Sequence, residues 1–120
     1  MVKAVFDTNI LIDFLTGRAE ARDEIARFDA PAISIVTWME VMVGATEAEA
    51  AETRAWLSTF EVIGLDPPVA EDAVALRHSH RLKLPDAIVW ASARARGAMM
   101  VTRDLRGFPA DEPGLRIPYA

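Results

Sequence analysis

Cysteine is missing altogether, so neither disulfides nor thiolate metal sites can contribute to this chain. Histidine is scarce. The two present, His78 and His80, stand two apart in a predicted helix and point in different directions, which disfavours zinc. No apolar run approaches the roughly 18–20 residues needed to cross a bilayer. The apolar start is too short for a secretory leader, with Lys3 inside it and Asp7 ending it, and a soluble cytoplasmic protein is the expectation. Positive charge is also in deficit. A net charge of −5 argues against binding nucleic acid through a large global field, yet leaves room for a local basic rim. Arg77, Arg81, Lys83, Arg94, Arg96, Arg103 and Arg106 all fall in the second half.

What is present suits one folded domain over residues 1–120, with 52% hydrophobic and 26% charged residues. Val2–Phe6 reads as a first strand, followed by Ile10, Leu11, Phe14 and Leu15 at helical spacing and a stop at Gly17. Ala19–Phe28 reads as a helix, Ala32–Val36 as a strand, and Thr37–Ala45 as a helix. Thr46 and Glu49 form a capping-box pattern opening a helix to about Thr59. Glu61–Leu65 suits an edge strand. Val69, Ala73, Leu76 and His80 mark a helix to about Leu82, and Pro85 opens another that runs to Arg96. Ala98–Thr102 is an apolar strand, Arg103–Gly114 a loop, and Leu115–Pro118 a last strand. Strands alternating with helices predict an α/β fold, a mostly parallel sheet with helices on both faces.

In such sheets ligands bind outside the carboxyl ends of the strands. Asp7 follows the first strand, Glu40 lies in the helix after the second, and Asp104 lies just past the Met99–Val101 strand. Asp86 opens the helix feeding that strand, and its place at this edge needs the helix start to fold back. Each acid also has a structural reading. Asp7 suits a helix cap, Thr37–Glu40 a capping box, Asp86 a helix dipole and Asp104 an Asx-turn. Glu40 stands out because Trp38, Met39, Val41, Met42 and Val43 surround it, and a helix apolar all round is predicted to be buried. A buried carboxylate needs a cation, either an arginine such as Arg103 or a divalent ion. An all-oxygen site selects Mg²⁺ or Mn²⁺.

Val5-Phe6-Asp7-Thr8-Asn9-Ile10-Leu11, Ser34-Ile35-Val36-Thr37-Trp38-Met39-Glu40, Leu84-Pro85-Asp86-Ala87-Ile88-Val89-Trp90-Ala91 and Val101-Thr102-Arg103-Asp104-Leu105 stand in order. Together they resemble the four motifs of the PIN domain family, and within it the VapC-like toxin ribonucleases of toxin–antitoxin pairs. The resemblance implies a PIN-like three-layer fold. It implies metal-binding, catalytic roles for Asp7, Glu40 and Asp86, with Asp104 completing the set. Thr8, Asn9, Thr102 and Arg103 would be supporting groups at the pocket mouth. It implies RNA as substrate, Mg²⁺ or Mn²⁺ as cofactor, a homodimer, and a VapB-like antitoxin partner. Relatives carry a further acid close to the position of Phe108, whereas here the stretch is Arg106-Gly107-Phe108. From loop position, Arg103, Arg106, Arg81 and Lys83 are expected to steer phosphate. Two other readings stand beside this one. The first is a non-catalytic PIN-like binding module whose acids are neutralised by arginine. The second is a phosphotransfer domain, disfavoured because no DxDxT motif occurs.

Overall fold

A computed structural model describes residues 3–109 and 111–119. Val2 and Ala110, assigned above to the first strand and to the loop, lie outside the described residues. The elements run β1 (Ala4–Phe6), α1 (Thr8–Leu15), α2 (Ala19–Ala26), β2 (Ala32–Ser34), α3 (Ile35–Gly44), α4 (Ala50–Leu57) and β3 (Glu61–Ile63). They continue with α5 (Pro67–Ser79), α6 (Leu84–Ala95), β4 (Met99–Val101) and β5 (Leu115–Arg116).

The five strands form one sheet in the order β3-β2-β1-β4-β5, and every pairing is parallel. Alternation along each short strand sorts side chains to opposite faces. Val5, Ala32 and Met100 face one core, built with Ala73, Leu76, Val89 and Trp90 of α5 and α6. Ala4, Phe6, Ile33 and Val101 face the other, with Ile10, Leu11, Ala21, Val41 and Leu57 from α1 to α4. Both faces of the strands are therefore buried, which is why they read as continuous apolar runs.

Several boundaries differ from the expectation. The second strand stops at Ser34, whose Oγ accepts from Val36 N at 3.1 Å and caps α3 two β-branched residues earlier than the hydrophobic pattern suggests. Thr37 is thus inside the helix and Thr37–Glu40 is not a capping box. The Thr46–Glu49 box does form: Glu49 N donates to Thr46 Oγ1 at 3.2 Å and Thr46 N to Glu49 Oε1 at 3.1 Å. It closes a turn, and the helix proper begins at Ala50. Helix α5 ends at Ser79, so His80 is its C-cap, with its ring 5.4 Å from that of Trp90. That contact makes it the core-edge histidine expected. Nor is α3 buried all round. Met39 is 47% and Val43 86% exposed.

The last strand is held by a charge. Glu24 of α2 is buried, and Arg116 of β5 donates from Nε to Oε2 at 2.7 Å and from Nη2 to Oε1 at 3.0 Å. Without Arg116 the buried Glu24 carboxylate would keep only Arg27, 3.8 Å away and mostly exposed. Arg116→Ala is therefore expected to lose about 3 kcal/mol of stability, read from urea unfolding at neutral pH. Unfolding at the parent's midpoint would show that solvent screens the pair.

Candidate active site

Strand β1 has β2 on one side and β4 on the other, so chain direction across the sheet reverses between β1 and β4. The crevice at their carboxyl ends is where such sheets bind ligands. Phe6 pairs with Val101 there, which sets Asp7 beside Thr102. Thr102 Oγ1 donates to Asp7 Oδ2 at 2.8 Å, and Thr8 N donates to Asp7 Oδ1 at 2.8 Å. Asn9 Nδ2 reaches both Thr102 Oγ1, at 3.1 Å, and Asp7 Oδ2, at 3.4 Å. The amide is held from its far side, because Arg103 N donates to Asn9 Oδ1 at 3.1 Å. Asp7 is the helix cap its structural reading proposed, and it is also the centre of this network.

Asp7 is buried, and burial pushes its carboxyl up to about 6. The Thr102 and Thr8 bonds oppose that rise, while Asp86 and Glu40 add repulsion. Glu40 is corrected from buried to exposed. It is held all the same: Thr8 Oγ1 lies 2.7 Å from Glu40 Oε1 and 3.0 Å from Thr37 Oγ1. A hydroxyl has one proton, so Thr8 donates to the carboxylate and accepts from the fully buried Thr37.

Asp86 reaches the same edge by topology alone. Helix α6 delivers the chain to the start of β4 and packs along β1, β2 and β4, so its own first turn lies at the carboxyl edge. Asp86 is half-buried. Its carboxyl is raised by burial first and by Glu40 next, with Asp104 adding to this and Lys83 opposing. Among the described residues it has no hydrogen-bond or ion-pair partner. Asp104 is the exception of the four. Arg106 donates to it from Nη2 to Oδ2 at 2.7 Å, from Nε to both oxygens, and from its backbone N to Oδ1 at 3.0 Å. These bonds hold its carboxyl down at about 2 and complete the Asx-turn.

The four acids thus line one edge and share a field, but the closed cluster expected from the sequence is not present. Among the described residues no three acid or histidine side chains stand close enough together to enclose an ion. Glu40 is exposed and held by Thr8, Asp86 is half-buried, and Asp104 is held by Arg106. Arg103 is corrected as well: its guanidinium turns from the pocket to Asp13, with Nε 2.7 Å from Oδ2 and Nη2 3.2 Å from Oδ1. Asp13 also accepts from Tyr119 Oη at 2.8 Å. The sequence reading missed Asp13, although an acid four residues after Asn9 on an otherwise apolar helix face was a signal for it.

The PIN domain family model matches residues 4–110. The chain belongs to the PIN domain family. This PIN domain is similar to Ribonuclease VapC10 of Mycobacterium tuberculosis, at 34% identity over 95% of this chain and 91% of that protein. A chain of a toxin–antitoxin complex from Klebsiella pneumoniae matches with a TM-score of 0.92 and 46% identity, covering 98% of both chains. A DNA-bound VapBC from Salmonella typhimurium gives 0.78 and 26%, covering 97% of this chain and 96% of that one. The expected PIN-like fold is the fold found. No helix among the described residues is long and apolar enough to cross a membrane.

The folded PIN domain holds the Asp7 proton up to about pH 6, whereas the unfolded chain releases it near 3.8. Stability from this group is full below the lower value and is lost as pH rises through the upper one. Asp7→Asn cannot ionise, so it is expected to gain about 3 kcal/mol on the parent between pH 4 and 8, in urea unfolding without divalent ions. Parallel pH curves for the two chains would show that Asp7 ionises freely.

Proposed function

We propose that this PIN domain is a metal-dependent endoribonuclease, the toxin of a VapBC-type pair, acting in the cytoplasm. The observation that carries the reading is how counter-charge is distributed. Among the described residues Asp7, Glu40 and Asp86 have no ion-pair partner, while Asp13, Glu24 and Asp104 each have an arginine. Three mutually repelling carboxylates at the sheet's switch point, one of them buried, fit a divalent cation. Their donors are all oxygen, which fits Mg²⁺ or Mn²⁺. The binding-module reading needs arginines on these acids, and only Asp104 has one. Similarity to Ribonuclease VapC10 supports RNA as the substrate.

Asp7, Glu40 and Asp86 would hold the ion, with Asp104 completing the set once it leaves Arg106. The chemistry such an ion supplies is neutralisation of phosphate charge and activation of water. Thr102 and Asn9 keep Asp7 oriented, and the Thr37–Thr8 relay keeps Glu40 at the mouth. Asp86, which has no hydrogen-bond partner among the described residues, would keep both carboxylate oxygens free for the ion. Asp7→Asn and Glu40→Gln are expected to cut metal-dependent RNA cleavage by at least roughly 100-fold. Mn²⁺ should raise the melting temperature of the parent and not of Asp7→Asn. Equal cleavage by parent and variants would indicate a contaminating nuclease and remove this reading.

Partner chains are part of the same proposal. Ile12 and Leu15 of α1 and Met39 and Val43 of α3 are exposed apolar side chains on neighbouring helices. Such a patch suits protein contact, and the Klebsiella pneumoniae neighbour is a chain of a toxin–antitoxin complex. The partners proposed are a VapB-like antitoxin and a second copy of this chain. Val43→Asp is expected to weaken both associations in size-exclusion chromatography. A parent that stays monomeric at micromolar concentration would contradict the homodimer.

A further inference from the structure

The cations of this acidic chain are unevenly occupied. Most arginines, including Arg94, Arg96, Arg103, Arg106 and Arg116, have a carboxylate within 4 Å. Arg77, Arg81 and Lys83 have no such partner among the described residues, and all three are exposed. They fall within one seven-residue stretch, 77–83, at the turn between α5 and α6. That turn lines an open depression of about 610 Å³. Arg81 and Lys83 also line a second one, of about 390 Å³, together with Asp86, Asp104 and Arg106. A basic track therefore leads from the end of α5 into the acid-lined pocket.

The track is built into the fold. Leu82, between the two cations, is buried, so Arg81 and Lys83 project to solvent on either side of a fixed anchor. Gly107 packs against the same turn with φ +87, and a Cβ built there would lie 2.7 Å from Arg81 O. This close approach fixes the Asp104 loop against the cations. Complementing the dipole at the end of α5 accounts for Arg77 at most, because Arg81 and Lys83 lie beyond the helix.

We infer that Arg77, Arg81 and Lys83 form a subsite for the phosphodiester backbone of a single-stranded RNA, gripping phosphates beside the one at the acids. This rests on the ribonuclease reading and deepens it. The geometry suits a sequence-independent grip: flexible charges along a groove, whose only rings among the lining residues are the imidazoles of His78 and His80.

The test uses the non-cleaving Asp7→Asn chain and a fluorescent single-stranded RNA, with binding followed by anisotropy across a salt series. Each phosphate contact on a single strand adds about 0.7 to the slope of log affinity against log salt. Arg77→Ala/Arg81→Ala/Lys83→Ala is expected to flatten the slope by about 2 and to weaken binding on the order of 100-fold at 0.1 M salt. Lys3→Ala/Arg22→Ala/Arg54→Ala removes equal charge elsewhere and should keep the slope. Arg81→Gln alone should lose about 0.7 and serves if the triple variant does not fold. Slopes matching the control overturn the subsite and assign the track to an acidic partner chain. If the unsubstituted chain still cleaves RNA, the nuclease reading outlives that result. Loss of slope without cleavage by the unsubstituted chain keeps the subsite and removes the nuclease. RNA that neither binds nor is cut removes both.

Discussion

The hydrogen bond from Thr102 to Asp7 joins the two parallel strands at which the order of strands along the chain reverses, and the site is arranged around it. It exists because Phe6 and Val101 are paired in register, which makes the next residue of each strand a neighbour across the crevice. A slip of one residue in either strand would turn that strand's side chain away from its partner. Asn9 then braces the pair from α1, and the backbone of Arg103 braces Asn9. Two segments far apart in sequence, 7–9 and 102–103, are held by four polar groups. The two cores above and below keep solvent from competing for them.

Around that joint the chain divides its acids into two kinds. Asp13 and Glu24 are buried and matched with Arg103 and Arg116, and they bind the end of the chain to α1 and α2. Asp7, Glu40 and Asp86 are left unmatched and repel one another. Unmatched carboxylates cost stability where they are desolvated, and of these three Asp7 is buried, Asp86 half-buried and Glu40 exposed. Asp104 lies between the two kinds. Its arginine is almost fully exposed, so solvent screens the pair and exchange to another cation is cheap.

Sequence patterning revealed the parallel α/β order and the edge at which the acids meet, because continuous apolar strands and helix stops are local signals. It located Asp7, Glu40 and Asp104 for the same reason. Asp86 looked doubtful only because the direction of α6 was not followed to its end: a helix entering β4 must begin above the opposite edge. The burial assigned to Glu40 failed because apolar neighbours do not reveal whether a partner chain covers them, and Met39 and Val43 face solvent in the single chain. Ser34 as the true cap was hidden by Ile35 and Val36, which continue a strand-like run into the first turn of α3. The Asp13–Arg103 pair spans most of the chain, so a local pattern could mark the acid on α1 but not its partner.

Gly107 shapes the wall of this pocket. Its backbone sits in a conformation that side chains resist, and the carbonyl of Arg81 occupies the room one would need. A side chain therefore cannot be gained at this position by a single substitution without a backbone shift. The turn that carries Leu82 would have to retreat first, and the groove would widen with it. The residue that lets the loop hug its neighbour is thus also the one that keeps the groove narrow.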